Sequence, residues 1–224
     1  MAYQMIHMEI AYQLLQRMGR MNCGADFILG SVAPDSVHMN PDYRVSEKVR
    51  SHLFAGCGEW SDTQDYERWS RNMLQFWENY GSTLQSQEER AFAAGVCVHC
   101  FTDYCNDQKI WRRLQREKLP HMSFTHFCEI YYPEAKGIDQ WLYQHSEHRD
   151  RIRKLLQEGH PFELNGLLHA EEIRCQQHHL LYEQYEMASV DISEYQFLSE
   201  KSMMEFIAET VQRIISNRKS FSRI

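Results

Sequence analysis

The residues that point most directly to chemistry are His99 and Asp103, which lie four positions apart in a mostly apolar stretch of the chain, 91–103. On a helix, four residues turn about 40° past a full revolution, so both side chains leave the same face and can point at one ion. Burying a histidine and a carboxylate is costly unless their polar atoms find partners. A metal ion is one such partner. A hydrogen bond between the two side chains that merely satisfies the core is the alternative.

Three further candidate metal ligands precede this pair in the chain, namely His7, Asp35 and His52. Asp35 follows Pro34 in a segment that presents a carboxylate free of helix geometry, although Pro-Asp is also common turn chemistry. Zinc sites take three or four ligands among His nitrogens, carboxylate oxygens and thiolates, and catalytic sites leave one position open for water. Two histidines and two carboxylates meet that count.

The carboxylate of Asp103 has two oxygens and can bridge two ions, in which case His7 serves a second metal close to the first. Two zinc ions about 3.5 to 4 Å apart can deprotonate a bound water at neutral pH and hold the oxygens of a phosphoester during in-line attack. Histidine and carboxylate ligands also accept manganese or iron, so the sequence does not identify the metal. His38, three residues after Asp35, is a candidate metal ligand, phosphate donor or plain loop histidine.

Thiolates offer a competing set of ligands. Cys97 and Cys100 have the spacing of a zinc knuckle, and Cys105 lies nearby. On a helix, however, Cys97 and Cys105 point away from the face that carries His99 and Asp103, and no second cysteine pair follows. The seven cysteines are better explained as small core residues in a reducing compartment.

The elements that must position these residues are helices, because apolar residues recur with helical spacing along nearly the whole chain. A first helix carries His7 and stops at Gly19, and the glycines and prolines of 22–43 predict a loop. The helix that carries His99 begins at Ser86, three residues before Glu89 as in a capping box, and ends before Pro120. Further helices are predicted from a cap at Ser61 to just before Gly81, over 121–132 with a stop at Pro133, and over 138–158, 168–186 and 198–217. We therefore predict an all-α fold.

Composition narrows the function classes. The 224 residues suit one domain, 1–224, since no linker divides them. A net charge of −7 argues against a nucleic acid polymer as partner, because such binding needs clustered positive charge. The chain has neither an apolar run long enough for membrane insertion nor an N-terminal signal segment, so a soluble cytoplasmic protein is expected. The oligomeric state stays open.

The candidate ligands also fall into ordered motifs. An N-terminal helix with an inward His7 precedes a Gly-x-x-Ala-Pro-Asp loop (30–35), then His52, and then Gly95-x-x-x-His99-x-x-x-Asp103 on a long helix. In this order the motifs, which cover about the first half of the chain, resemble the zinc-dependent phospholipase C family, itself similar in fold to the single-strand-specific zinc nucleases. The resemblance implies an all-helical hydrolase of phosphate esters. It also implies one zinc ion on Asp35, His52, His99 and Asp103, and another on His7 and the bridging Asp103.

The chain departs from the family pattern at three points. The pattern continues with a histidine about six residues after the bridging aspartate, which belongs to a third metal site of the family, and here that position is Lys109. For the next motif, a histidine and a carboxylate one helical turn apart, the nearest candidates are His126 with Glu129 and His179 with Glu183. Secreted members also ligate metal through a processed N-terminus, whereas six residues precede His7 here. The last departure, together with the expected lack of a signal peptide, favours a small soluble phosphorylated substrate over a phospholipid at a membrane surface.

The sequence therefore predicts a zinc-dependent hydrolase of phosphate esters. Its metal ligands are His7, Asp35, His52, His99 and Asp103, and its candidate catalytic residues are Asp35, Asp103 and His38. His38 or the basic residues 109–118 would orient the phosphate. The first alternative is a helical protein that keeps one metal ion as a structural or sensing element, and the second is a scaffold whose His and Asp side chains form a core network without metal.

Overall fold

The computed structural model describes residues 2–19, 22–164, 166–186 and 189–216. Within these ranges it contains ten α-helices and one hairpin of two-residue strands, so the prediction of an all-α fold is confirmed. The α-helices are α1 (Gln4–Met18), α2 (Gly24–Gly30), α3 (Val45–Ser51), α4 (Tyr66–Asn79), α5 (Gln87–Asn106), α6 (Arg112–Lys118), α7 (Phe124–His145), α8 (Arg149–Glu158), α9 (Ala170–Tyr182) and α10 (Glu200–Ser216). The other elements are the strands β1 (Gly58–Glu59) and β2 (Asp62–Thr63), the 3₁₀ helices Ala33–Met39 and Gly81–Thr83, and a π-helical turn, Asp107–Trp111.

Helix α5 lies at the centre of the fold. Every residue from Phe92 to Asp103 is buried, which is expected of a helix that is apolar on all sides. As predicted, Ser86 caps its start, and its Oγ accepts a hydrogen bond from the backbone N–H of Glu89 at 3.1 Å. The helices α1, α2 and α4 pack against α5, and the buried apolar residues form one cluster around it. None of the described helices is long and apolar enough to cross a bilayer.

Helices α2 and α5 cross with their backbones in contact at Gly30 and Gly95. A Cβ atom at Gly95 would lie 2.3 Å from the carbonyl oxygen of Phe27, and one at Gly30 would lie 2.1 Å from the carbonyl oxygen of Phe92. Only glycine allows so close an approach. The crossing places Ser31, the residue after α2, directly against α5.

The predicted loop over 22–43 is wrong, because this segment contains α2 and the 3₁₀ helix Ala33–Met39. Gly24, Gly30 and Pro34 lie at the ends of these helices and do not mark a continuous loop. Gly24 begins α2 and Gly30 ends it, while Pro34 occupies the first turn of the 3₁₀ helix, where a missing N–H costs nothing. The apolar residues Phe27, Ile28 and Leu29 between them are buried.

The predicted stop at Pro133 is also wrong, because α7 continues through this residue to His145. A buried stripe runs past the proline on one face, through Tyr131, Ala135 and Ile138. This packing outweighs the loss of one backbone hydrogen bond. The helix predicted over 138–158 is correspondingly split in two, with α7 ending at His145 and α8 starting at Arg149.

Of the other predicted helix boundaries, the start of α4 is wrong. Helix α4 lies where it was predicted and ends before Gly81, but its cap is Asp65, whose carboxylate accepts the backbone N–H of Arg68 at 2.8 Å. Ser61, the predicted cap, lies in the turn of the hairpin with φ 76°. Helices α9 and α10 fall inside the predicted ranges 168–186 and 198–217, of which residue 217 lies outside the described residues.

Candidate metal centre

The structure brings all five predicted ligands into one buried cluster. His7 comes from α1, Asp35 from the 3₁₀ helix, His52 from the residue after α3, and His99 and Asp103 from successive turns of α5. The three histidines are fully buried, and Asp103 and Asp35 are 1% and 7% exposed. The ligand atoms form two overlapping groups that could hold a metal ion, one of His7, His99 and Asp103 and one of Asp35, His52 and His99.

The Nε2 atom of His52 lies close to ligand atoms of three other residues of the cluster. His52 Nε2 lies 3.1 Å from His99 Nε2 and 3.3 Å from Asp35 Oδ1. It lies 3.5 Å from Asp103 Oδ2, and His99 Nε2 lies 4.0 Å from Asp35 Oδ2 and 3.9 Å from Asp103 Oδ2. Ligand atoms of a tetrahedral zinc site lie about 3.3 to 3.5 Å apart, given bond lengths near 2.0 to 2.2 Å. Within the group of Asp35, His52 and His99, two spacings are near these values and the third, 4.0 Å, is longer. Asp103 Oδ2 lies within 4 Å of both histidines of this group.

The hydrogen bonds behind the two histidines fix where their lone pairs point. His99 Nδ1 lies 2.8 Å from the carbonyl oxygen of Ser31, so Nδ1 carries the proton and Nε2 the lone pair. Ser51 Oγ lies 2.9 Å from His52 Nδ1 and 3.3 Å from the carbonyl oxygen of Lys48; when the hydroxyl donates to that carbonyl, His52 Nδ1 donates to Ser51. Two Nε2 lone pairs then face each other across 3.1 Å. A cation between the two nitrogens would be bound by both lone pairs and remove their repulsion. The hydrogen bonds from each Nδ1 to Ser31 and Ser51 are of the kind that metal-bound histidines make with their second ring nitrogen.

The second group contains polar atoms that the described residues leave unsatisfied. Both ring nitrogens of His7 and Oδ2 of Asp103 are buried and have no hydrogen-bond partner among the described residues. The ring of His7 stacks on that of His99 with centroids 3.8 Å apart, and its Nε2 lies 3.5 Å from Asp103 Oδ1. Asp103 thus turns one oxygen towards His7 and the other towards His52 and His99. Orphaned buried atoms in a native fold call for an explanation, and an ion is a common one.

The electrostatics of the cluster favour the protonation states that ligate metal. Burial acts to raise the pKa of Asp35, but the positive charge of Lys48 brings it well below its ordinary value. Burial acts in the same way on Asp103, whose pKa is lowered overall by His7, His99 and His52. Burial also lowers the pKa of His52, and that of His99 strongly. At neutral pH the carboxylates are therefore ionised and these two rings are neutral.

Sequence reasoning missed two polar residues that contact Asp35. Lys48 Nζ lies 2.9 Å from Asp35 Oδ1, and Gln4 Nε2 donates to Asp35 Oδ2 at 2.7 Å. Lys48 is 3% exposed, which is unusual for a lysine. Their spacing from the predicted ligands could have indicated them, because Lys48 lies four residues before His52 and Gln4 lies three residues before His7, each about one helical turn away. Nothing in the sequence alone marked either spacing as significant.

A cavity of about 350 Å³ opens onto the cluster. Asp35 and Asp103 reach its wall, together with Lys48, His38 and several aromatic side chains. His38 belongs to neither metal group. Its Nε2 lies 3.8 Å from Asp35 Oδ1 and 2.9 Å from Lys48 Nζ, and its side chain is 39% exposed. Burial and the charge of Lys48 lower the pKa of His38. His38 is thus placed beside the cluster rather than in it.

The residues preceding His7 fold back over the centre. The backbone N–H of Ala2 donates to Asp103 Oδ1 at 3.0 Å, and Ala2, Tyr3 and Gln4 line the cavity. Residues 2–4 therefore lie against the cluster.

The candidates for a third metal site lie elsewhere. Lys109 forms an ion pair with Glu209 at the surface. The pairs His126–Glu129 and His179–Glu183 are close enough for ion pairs, but in the described parts of the chain they join neither metal group.

The buried thiols likewise stand outside both metal groups found among the described residues, and burial raises the pKa of Cys97, Cys100 and Cys105. The basic residues after Asp103 are not part of the described wall of the cavity either. Arg112, for example, pairs with Asp62 at 2.8 Å. A thiolate site and a phosphate-orienting role for these basic side chains therefore lack geometric support.

Comparisons with protein-family models, with curated proteins and with solved structures found no match. The resemblance to the zinc-dependent phospholipase C family accordingly stays a prediction from the motifs. What the structure itself establishes is a buried His and Asp cluster that could hold a metal ion.

Proposed function

We propose that the protein is a metal-dependent hydrolase of small phosphate esters, with zinc as the metal. The observation that carries the proposal is the 3.1 Å approach of two buried ring nitrogens, Nε2 of His52 and Nε2 of His99, beside a cavity. The two carboxylates that complete the set, Asp35 and Asp103, line that cavity. The order of the motifs, which resembles that of the zinc-dependent phospholipase C family, points to the same reaction.

The residues present fit one zinc ion on Asp35, His52, His99 and Asp103. They offer His7 and the second oxygen of Asp103 to another ion. Bound zinc supplies a Lewis acid for the phosphoryl oxygens and an activated water at neutral pH.

The chain supplies positioning and charge. The carbonyl of Ser31 and the hydroxyl of Ser51 hold His99 and His52 in the ligating tautomer. Lys48 and Gln4 orient the carboxylate of Asp35 from opposite oxygens. The cavity has the size of a small-molecule site, which suits a small phosphorylated substrate better than a polymer.

The alternative function is a structural or sensing metal site without turnover. Structural zinc sites are closed by protein ligands, whereas catalytic sites keep an open position. The cavity at Asp35 and Asp103 favours the catalytic function, because an occupant of the cavity can reach the ligands. The scaffold without metal predicts that the paired replacement of His99→Gln and Asp103→Asn is tolerated and that no metal binds.

Cobalt substitution distinguishes these functions. We expect the cobalt-loaded protein to show visible absorption that changes when inorganic phosphate is added, since an open site exchanges its water for phosphate. The zinc-loaded protein should hydrolyse nitrophenyl phosphate esters, and His99→Gln should abolish both signals. His126→Gln is the matched control, because this exposed histidine also pairs with a glutamate on a helix. Metal binding with neither a phosphate response nor hydrolysis would contradict the hydrolase and support a structural site.

A further inference from the structure

Lys48 is a buried ammonium group on the wall of the cavity. The described residues place two acceptors within hydrogen-bond distance of its Nζ, Asp35 Oδ1 at 2.9 Å and His38 Nε2 at 2.9 Å. An ammonium has three N–H donors, so one remains for an occupant of the cavity. The ring of Trp60 lies 5.4 Å from Nζ and covers another side of it. Lys48 is thus held in place, and its third N–H donor is available to a ligand.

The charge of Lys48 becomes unbalanced when the centre is loaded. In the metal-free cluster Asp35 is its counter-ion, at 2.9 Å. Once a divalent ion binds, the negative charges of Asp35 and Asp103 are matched by that ion. Asp35 is the carboxylate that pairs with Lys48, and Asp107, on the wall of the same cavity, is bound by Tyr66, so Lys48 is then a buried positive charge whose paired carboxylate is shared with the ion. Such a charge is costly unless the substrate supplies the missing negative charge.

We propose that Lys48 binds the phosphate of the substrate and makes the centre selective for phosphate monoesters over diesters. This inference rests on the proposed function and deepens it. A monoester carries close to two negative charges at neutral pH, because its second pKa is about 6. A diester carries one. The additional ionised oxygen of a monoester pairs with Lys48, while the others face the metal-binding side chains.

His38 holds Lys48 in this position. Its Nε2 accepts a hydrogen bond from Lys48, and its ring packs against Tyr43 with centroids 4.4 Å apart. His38 therefore acts through Lys48 rather than as a metal ligand, which gives the partly exposed histidine of the Ala33–Met39 helix a role in positioning.

The test removes the charge of Lys48 and measures phosphate binding separately from turnover. Lys48→Met keeps the length of the side chain without its charge, Lys48→Gln keeps a hydrogen-bond donor without the charge, and Lys48→Arg keeps the charge. Lys154→Met is the control, since Lys154 is an exposed lysine that pairs with Glu158. Inorganic phosphate is titrated calorimetrically into each zinc-loaded protein, and the zinc content is measured in the same samples.

We expect both neutral variants to bind phosphate about tenfold or more weakly, as for the loss of a charged hydrogen bond, while Lys48→Arg and the control stay near the parent. The ratio of kcat/KM for nitrophenyl phosphate to that for bis-nitrophenyl phosphate should fall by a similar factor. Zinc should bind the neutral variants at least as tightly as the parent, because Asp35 is freed from its ammonium partner. A merely structural role for Lys48 would not leave zinc binding intact and change this ratio.

Equal phosphate affinity and an unchanged substrate ratio in zinc-loaded parent and neutral variants would overturn the inference and leave the proposed hydrolase standing. A preference of the parent for the diester would also overturn it. If the parent takes up no zinc, the proposed function fails and the role of Lys48 fails with it. The zinc content measured alongside each titration separates the last outcome from the first two, and the substrate ratio of the parent separates those two from each other.

Discussion

Replacing Gly95 with alanine should damage the metal centre without touching a ligand. The added Cβ would lie 2.3 Å from the carbonyl oxygen of Phe27, whereas ordinary van der Waals contact begins at 3.4 Å, so α2 and α5 must separate by about 1 Å at this point. Overpacking of this kind costs about 1–3 kcal/mol. The same shift moves the carbonyl of Ser31 away from His99 Nδ1, and loss of such an outer hydrogen bond weakens metal binding about 10- to 100-fold.

The assay combines thermal unfolding with competitive zinc titration against a chelating dye. For a chain of this size, 1–3 kcal/mol lowers the melting temperature of the metal-free protein by about 3–9 °C. Gly24→Ala, in the neighbouring helix α2, is the matched control, because a Cβ there meets first a flexible side chain, Leu15 Cδ1 at 3.3 Å. If Gly95→Ala unfolds like the parent and binds zinc as tightly, the close crossing of α2 and α5 does not position His99 for metal binding.

Three further predictions concern pH, the start of α5 and the missing third site. Burial lowers the folded-state pKa of His52 and His99, so the unfolded chain binds protons near pH 6.5 that the folded protein excludes. The free energy of unfolding of the metal-free protein should therefore fall as pH drops below about 6.5, by up to about 1.4 kcal/mol per pH unit for each ring, and a flat profile in denaturant titrations from pH 7.5 to 5.5 would contradict this. Ser86→Ala removes the cap of α5 and should cost about 1 kcal/mol in urea unfolding with zinc affinity unchanged, because His99 lies several turns further along. Lys109→Ala should leave the zinc content of the purified protein unchanged, since Lys109 pairs with Glu209, and an altered content would place it at the centre after all.

Much of the site could be predicted because its chemistry is local in sequence. The step from His99 to Asp103 fixes a shared helix face before any tertiary structure is known. Buried polar residues in an apolar helix are rare, and this made the pair conspicuous. That His7, Asp35 and His52 converge on the same point depends on tertiary packing, and only their order in motifs indicated it.

The incorrect sequence predictions have a common physical cause: tertiary contacts outweigh the local preferences of individual residues. Pro133 reads as a helix stop, but the buried stripe of α7 carries the helix past it. Gly30 reads as a loop residue, but its lack of a side chain permits the contact with α5. The charged segment around Lys48 is typical of a surface helix. The burial of Lys48 depends on the packing of α3 against Asp35, which is a tertiary contact.

Whether the buried cluster holds metal can be measured by elemental analysis of the purified protein beside its Asp103→Asn variant. The helix content of both is checked by circular dichroism. We expect about one or two equivalents of zinc in the parent and a loss of metal in a variant that remains helical, because an amide cannot replace the charge or bridge two ions with two oxygens. A parent without metal, and unchanged on addition of zinc, would show that the cluster is not a metal centre.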